Sequence, residues 1–69
     1  MDDFDLGAML KDHRKKAGLT QLELANLAGV GKTTVFDIEK NKETVRWNNL
    51  LAVLRVLNIK VDFKSPLTK

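Results

Sequence analysis

Cysteine and tyrosine are absent from the 69 residues, and histidine, tryptophan and proline occur once each. Without cysteine no disulfide can staple the fold, and thiolate chemistry is excluded. One histidine and no cysteine cannot furnish a structural zinc site, so neither metal nor cofactor is expected. His13 has no evident partner and no nucleophile set beside it, which argues against an enzyme. It is expected as a surface or partly buried side chain. No apolar run approaches the roughly 18 residues a membrane-spanning helix requires. The start, with Asp2, Asp3 and Asp5, has neither the basic opening nor the apolar stretch of a secretory signal, so a cytoplasmic location is expected.

The length allows one domain, residues 1–69. Ordering such a chain costs on the order of 100 kcal/mol, at roughly 1.5 kcal/mol per residue. A core this small offsets that only marginally. With disulfides and metals excluded, a partner subunit is the remaining support, and a homodimer is expected. The net charge of +3 is modest. Its distribution says more: Lys11, Arg14, Lys15 and Lys16 cluster ahead of a central segment that itself carries Lys32, Lys40 and Lys42. A basic surface of this kind suits a polyanion.

Periodicity divides the chain into four helices. The first is expected over 3–17, capped by Asp2 or Asp3 with Asp5 in its first turn, and Leu6, Met9, Leu10, His13 and Ala17 share a face. Gly7 weakens this helix, and Gly18 stops it. The second begins at Gln21. Thr20 and Glu23 form a capping box, and Leu19 and Leu24 form the hydrophobic staple around it. Leu24, Ala25 and Ala28 face inward, and Gly29 ends the helix. The third runs from about Lys32 to Lys40, with Gly31 as a weak cap and Asn41 as the left-handed stop. The fourth spans about 47–57, with Trp47, Leu50, Leu51, Leu54 and Leu57 as its inward stripe.

Two short helices around a tight glycine turn are the plan of a helix-turn-helix DNA reader. Val35 and Ile38 anchor the third helix, which leaves Lys32, Thr33, Phe36, Asp37 and Lys40 outward, with Thr34 beside them. Lysine can pair with guanine acceptors, threonine with base edges or a thymine methyl, and aspartate with a cytosine amino group. Phe36 either meets thymine methyls or tucks against the end of another helix. Gln21, at a helix N-terminus, is placed to donate to a phosphate. Lys42, Thr44 and Arg46, in the loop over 42–46, are further phosphate candidates. Gly31-Lys32-Thr33 also has the look of a phosphate-binding loop. That motif requires a glycine where Asn26 stands and a buried strand where a capped helix precedes, so nucleotide binding is rejected.

Beyond the fourth helix the period changes. Ile59-Lys60-Val61-Asp62-Phe63-Lys64 alternates strictly, which reads as a strand ended by Pro66. A lone strand cannot satisfy its own backbone, and pairing with its copy across a twofold axis is the simplest solution. Val53 and Val56 widen the apolar surface of the fourth helix, so Val53, Val56, Ile59, Val61 and Phe63 are the expected dimer interface.

The run from Gly18 to Ala25, the pair Gly29-Val30 and the run from Val35 to Lys42 closely resemble the phage-repressor-like (XRE) helix-turn-helix family. The segment from Thr44 to Leu51, the Leu54-Arg55-Val56-Leu57 that follows and the alternating tail resemble its HipB-type antitoxin branch. Resemblance covers residues 6–64. It implies an all-α, lambda-repressor-like domain of four to five short helices with a C-terminal β-strand pairing across a homodimer. It further implies a palindromic double-stranded DNA operator, autorepression and a HipA-like kinase toxin as partner. Base contacts from Lys32, Thr33 and Asp37 follow from it, as does an ion pair between Arg14 and Glu39. The family often has serine at the place of Gly31 and glycine at the place of Asn41. A side-chain cap and phosphate contact at Gly31 are therefore missing from this chain.

Overall fold

The first two helices begin on side-chain caps, and all four are followed by a residue of positive φ. The computed structural model describes residues 4–62, with α1 at Leu6–Lys16, α2 at Gln21–Ala28, α3 at Lys32–Glu39 and α4 at Trp47–Val56. Among the described residues there is no strand. α1 starts later than its periodicity suggests because Asp5 is the cap rather than part of the first turn, its carboxylate accepting from the Ala8 N–H at 2.9 Å. Asp2 and Asp3 lie outside the described residues. α2 opens as expected: Thr20 Oγ1 accepts from the Glu23 N–H at 3.0 Å, and Glu23 Oε1 accepts from the Thr20 N–H at 2.8 Å.

One device ends all four helices. Gly18, Gly29, Asn41 and Asn58 all take positive φ. After each, the next residue's N–H reaches back to a carbonyl of the last turn, as Leu19 does to Arg14, Val30 to Ala25, Lys42 to Asp37 and Ile59 to Leu54. This double-bonded stop satisfies carbonyls that the helix itself leaves open. It turns the chain sharply, so short helices can follow one another at steep angles.

α2 packs against α3 and α4, and α1 crosses α3. Leu10 from α1, Leu24 and Ala25 from α2, Val35 and Ile38 from α3, and Val53 and Leu54 from α4 form the buried core. The expected α4 stripe holds at Leu50, Leu51, Leu54 and Leu57, which all pack inward, and fails at Trp47. Two overlapping stripes at helical spacing are available, and the buried pair is Val53 and Leu54, whereas Trp47 is 50% exposed. Val53 is 0% exposed and therefore has no surface to give a second subunit, which removes it from the expected dimer interface. Val56 and Ile59 are half-buried against the same core. Residues 59–62 form no strand within the chain, and Phe63 and Lys64 lie outside the described residues.

α1 and α3 come unusually close. A Cβ on Gly7 would stand 2.8 Å from the carbonyl oxygen of Ile38, and nearer still to that of Glu39. Gly7 is therefore less a weakness of α1 than the condition for its seat on α3. Asn41 completes that seat: its Oδ1 accepts from the Gly7 N–H at 2.9 Å and its Nδ2 donates to Asp5 Oδ1 at 2.6 Å. Glycine, the commoner residue here by the resemblance, makes neither bond. The Asp5 carboxyl is held below its usual range, first by the Asn41 amide and then by the Ala8 N–H.

Gly7→Ala tests the seat. Alanine gains about 1 kcal/mol of helix propensity. The obstructing atoms are backbone and cannot yield, so overpacking of about 1–3 kcal/mol is expected to prevail. A lower urea midpoint is the expected outcome, and an unchanged or higher midpoint contradicts the close approach.

Candidate nucleic-acid interface

α3 divides cleanly. Val35 and Ile38 are in the core, while Lys32, Thr33 and Phe36 are exposed, and Lys40 follows them at the helix end. Residues spaced by about four along a helix share a face, so Lys32, Phe36 and Lys40 form a row. No side chain caps α3; the Gly31 carbonyl accepts from the Thr34 and Val35 N–H groups, and the helix start carries only backbone. Thr34 and Asp37 are half-buried, at the margins of the exposed row. The Gly31-Lys32-Thr33 run sits between two α-helices, not after a strand, which is the wrong setting for a nucleotide-phosphate loop.

Phe36 lies on the open side of α3, with Gln21 at the start of α2 lining the same recess. It is 45% exposed, and the Lys40 ammonium lies 5.5 Å from its ring centroid, a cation–π distance. Gln21, Lys32, Thr33 and Phe36 together line an open recess of about 340 Å³. The first residue of α2 and the first turn of α3 thus share one concave surface, although eleven positions separate Gln21 from Lys32 in the sequence.

Beneath this surface lies an ion-pair network. Arg14 and Glu39 side chains are 9% and 4% exposed. Arg14 Nε donates to Glu39 Oε2 at 2.6 Å and Nη2 to Oε1 at 3.2 Å, while Nη1 donates to the Leu19 carbonyl at 2.8 Å. Gln21 Nε2 donates to Glu39 Oε1 at 3.1 Å. The Arg14–Glu39 pair expected from the resemblance is thus bidentate and joined by two further partners. Arg14 accordingly leaves the basic surface assigned to it. Of its neighbours, Lys16 pairs with Asp12 at 3.1 Å in an exposed contact. Gln21 likewise spends one amide hydrogen within the chain, a use the sequence reading did not foresee.

Burial alone pushes the Glu39 carboxyl pKa up. Hydrogen bonds from Arg14 and Gln21, with the positive charges of Arg14 and Lys11, outweigh that and hold it below the usual glutamate value. Lys42, Thr44 and Arg46 are exposed in the loop after α3. Lys42 lines a different recess, with Asn41, Glu43 and Val45, and does not join the Gln21–Phe36 surface. His13 is exposed on α1, its Nδ1 2.8 Å from the Met9 carbonyl oxygen. Of the expected interface residues beyond α4, Ile59 is half-buried and Val61 is 41% exposed.

A helix-turn-helix family model matches residues 10–64. An uncharacterized HTH-type transcriptional regulator of Sinorhizobium fredii, y4mF, is 39% identical over 62 residues, covering 90% of this chain and 82% of the relative. The ImmF control region 10 kDa protein of Bacillus phage phi105 is 31% identical over 62 residues, 90% of this chain and 69% of that protein. Among solved structures, the restriction-modification controller protein C.AhdI from Aeromonas hydrophila aligns with a TM-score of 0.73 at 30% identity, over 81% of this chain and 85% of its own. A chain of the HipA-HipB-O2-O3 complex aligns with a TM-score of 0.80 over 96% of this chain and 97% of its own; at 22% identity, this is a likeness of fold.

The buried pair carries two expected outcomes. Arg14→Ala strands a carboxylate and should cost about 2–4 kcal/mol, read from a urea melt. The depressed pKa of Glu39 also sets a pH dependence. Its stabilisation is complete above the unfolded-state value, near 4.5, and is lost as pH falls through the lower folded-state value. Glu39→Gln should flatten the acid limb of the stability curve, and an unchanged acid limb contradicts the assignment.

Proposed function

This chain belongs to the helix-turn-helix family of DNA-binding transcription regulators, and from that premise we propose that it is a homodimeric repressor of its own promoter, reading a palindromic operator with α3 of each subunit. The observation that carries the proposal is the exposed row on a helix whose back is held in the core: Lys32, Thr33, Phe36 and Lys40. A helix so presented fits the major groove, where base edges differ from pair to pair. In this reading Lys32 meets guanine acceptors, Thr33 a base edge and Asp37, at the margin, a cytosine amino group. Gln21 borders the row, and Lys42 and Thr44 are exposed in the loop after α3; all three suit phosphates, which fix register rather than sequence. Two such helices on a twofold axis would enter successive grooves about 34 Å apart.

The subunit contact is assigned to the C-terminal end, where Ile59, Val61 and Phe63 alternate with polar residues. Exposed Val61 and half-exposed Trp47 edge an apolar groove of about 370 Å³ that also includes Phe4 and Met9, which supports a contact there. Val56, half-buried, is the last residue of α4 and leads into this C-terminal segment.

A second reading makes the protein the antitoxin of a HipA-like kinase toxin. The fold likeness to a chain of the HipA-HipB-O2-O3 complex and the segment from Thr44 to Leu51 favour it. Leu22 and Leu27, 52% and 63% exposed on α2, are apolar surface outside the α3 row on which such a partner would rest. The controller protein and the phage control-region protein favour a regulator without a toxin. A kinase-like reading frame beside the gene would decide for the antitoxin, and a phage structural or integrase gene against it.

A gel shift with DNA from its own upstream region should show preference over random duplex. Lys32→Ala should lower that preference by about 1–3 kcal/mol while leaving non-specific binding nearly intact. Equal affinity for upstream and random DNA overturns the proposal.

A further inference from the structure

We infer that Phe36 is a specificity-determining residue that reads the 5-methyl group of a pyrimidine, thymine or 5-methylcytosine, in the operator half-site. The inference rests on the DNA-reading role proposed above and names the ligand for one of its side chains. An aromatic ring 45% exposed on a helix of eight residues keeps a large apolar area in water, and the core does not use it. Its neighbours in the shared recess are Gln21, Lys32 and Thr33, all of which carry polar groups able to meet phosphates or base edges. Phe36 has no hydrogen-bonding atom, so it can contribute to base discrimination only by apolar contact. The major-groove edges of the four base pairs present one apolar group, the C5-methyl of thymine; 5-methylcytosine presents the same group at the same ring position.

Lys40 narrows the geometry. Its ammonium stands 5.5 Å from the ring centroid, so one side of the ring carries a cation. A duplex approaching α3 meets the exposed part of the ring beside Thr33 in the shared recess, where the threonine methyl adds to the apolar surface. The cation also suits a neighbouring phosphate or guanine, so methyl and charge recognition occur side by side on one helix turn. Oxygen- or nitrogen-bearing groups at that position would be desolvated against the ring without a partner, which disfavours cytosine, whose amino group lies nearby.

The test uses the full chain and duplexes recovered by it from a random pool. Each thymine of the recovered half-site is replaced singly by uracil, which keeps every hydrogen-bonding group and removes only the methyl. One position should lose about three- to tenfold in affinity, the range for one buried methyl. Replacing the base there by 5-methylcytosine, with guanine opposite, should recover part of the loss relative to cytosine. Phe36→Ala should bind thymine and uracil duplexes equally at that position, with an unchanged melting temperature showing an intact fold. Uniform tolerance of uracil overturns the inference, and so does a methyl effect that persists in Phe36→Ala. Recovery of no preferred duplex would instead overturn the DNA-reading role on which it rests.

Discussion

The Arg14–Glu39 ion pair is the contact on which the arrangement of the helices depends. Glu39 ends α3, where the helix dipole disfavours a carboxylate, and its side chain is 4% exposed. Both circumstances oppose a charge there. The guanidinium of Arg14 offsets them with two charge-assisted bonds, and its third nitrogen takes the Leu19 carbonyl at the turn into α2. Gln21 adds a fourth bond from the start of α2. One carboxylate thus ties α1, α2 and α3 at a single point. Such a pair adds little to stability over an apolar alternative of the same shape, but it tolerates few geometries, and so it fixes how α3 is turned.

The far side of the same helix end is fixed by backbone contact. Gly7 lets α1 lie against the Ile38 and Glu39 carbonyls, and Asn41 closes the seat by bonding to Gly7 and Asp5. The positive end of α1 therefore meets the negative end of α3, an arrangement the dipoles favour. With its C-terminus held by α1 and its inner face in the core, α3 presents Lys32, Thr33 and Phe36 on a rigid support. A binding surface on a rigid helix loses less entropy when it meets a ligand than one on a mobile loop.

Local signals in the sequence carried most of the fold. The capping box at Thr20, the stops at Gly18, Gly29 and Asn41, and the inward Leu24, Ala25, Val35 and Ile38 are each specified by residues a turn apart, and each stands where expected. Three features escaped because they depend on partners distant in sequence. The role of Gly7 requires knowing that α3 ends against it, and its own helix makes it look like a defect. The amide of Gln21 reads as a free donor until Glu39 is brought beside it. On α4 the expected leucines pack inward, but Val53 is fully buried with them and Trp47 is left half exposed, a choice that depends on the packing of the whole core. That burial takes Val53 out of the expected subunit contact. Phe36 is 45% exposed with Lys40 over its ring, and it shares a recess with the first residue of α2.

The central claim is that the surface built from the first turn of α3 and the start of α2 meets DNA. Its most direct test is a titration of isotope-labelled protein with a duplex from its own upstream region, followed by backbone and side-chain amide resonances. The account predicts the largest shifts at Lys32, Thr33, Phe36 and the Gln21 side-chain amide, with Leu22 and Leu27 on the outer side of α2 little changed. Shifts concentrated at Leu22 and Leu27, or around Trp47 and Val61, with the α3 row unmoved, would contradict it.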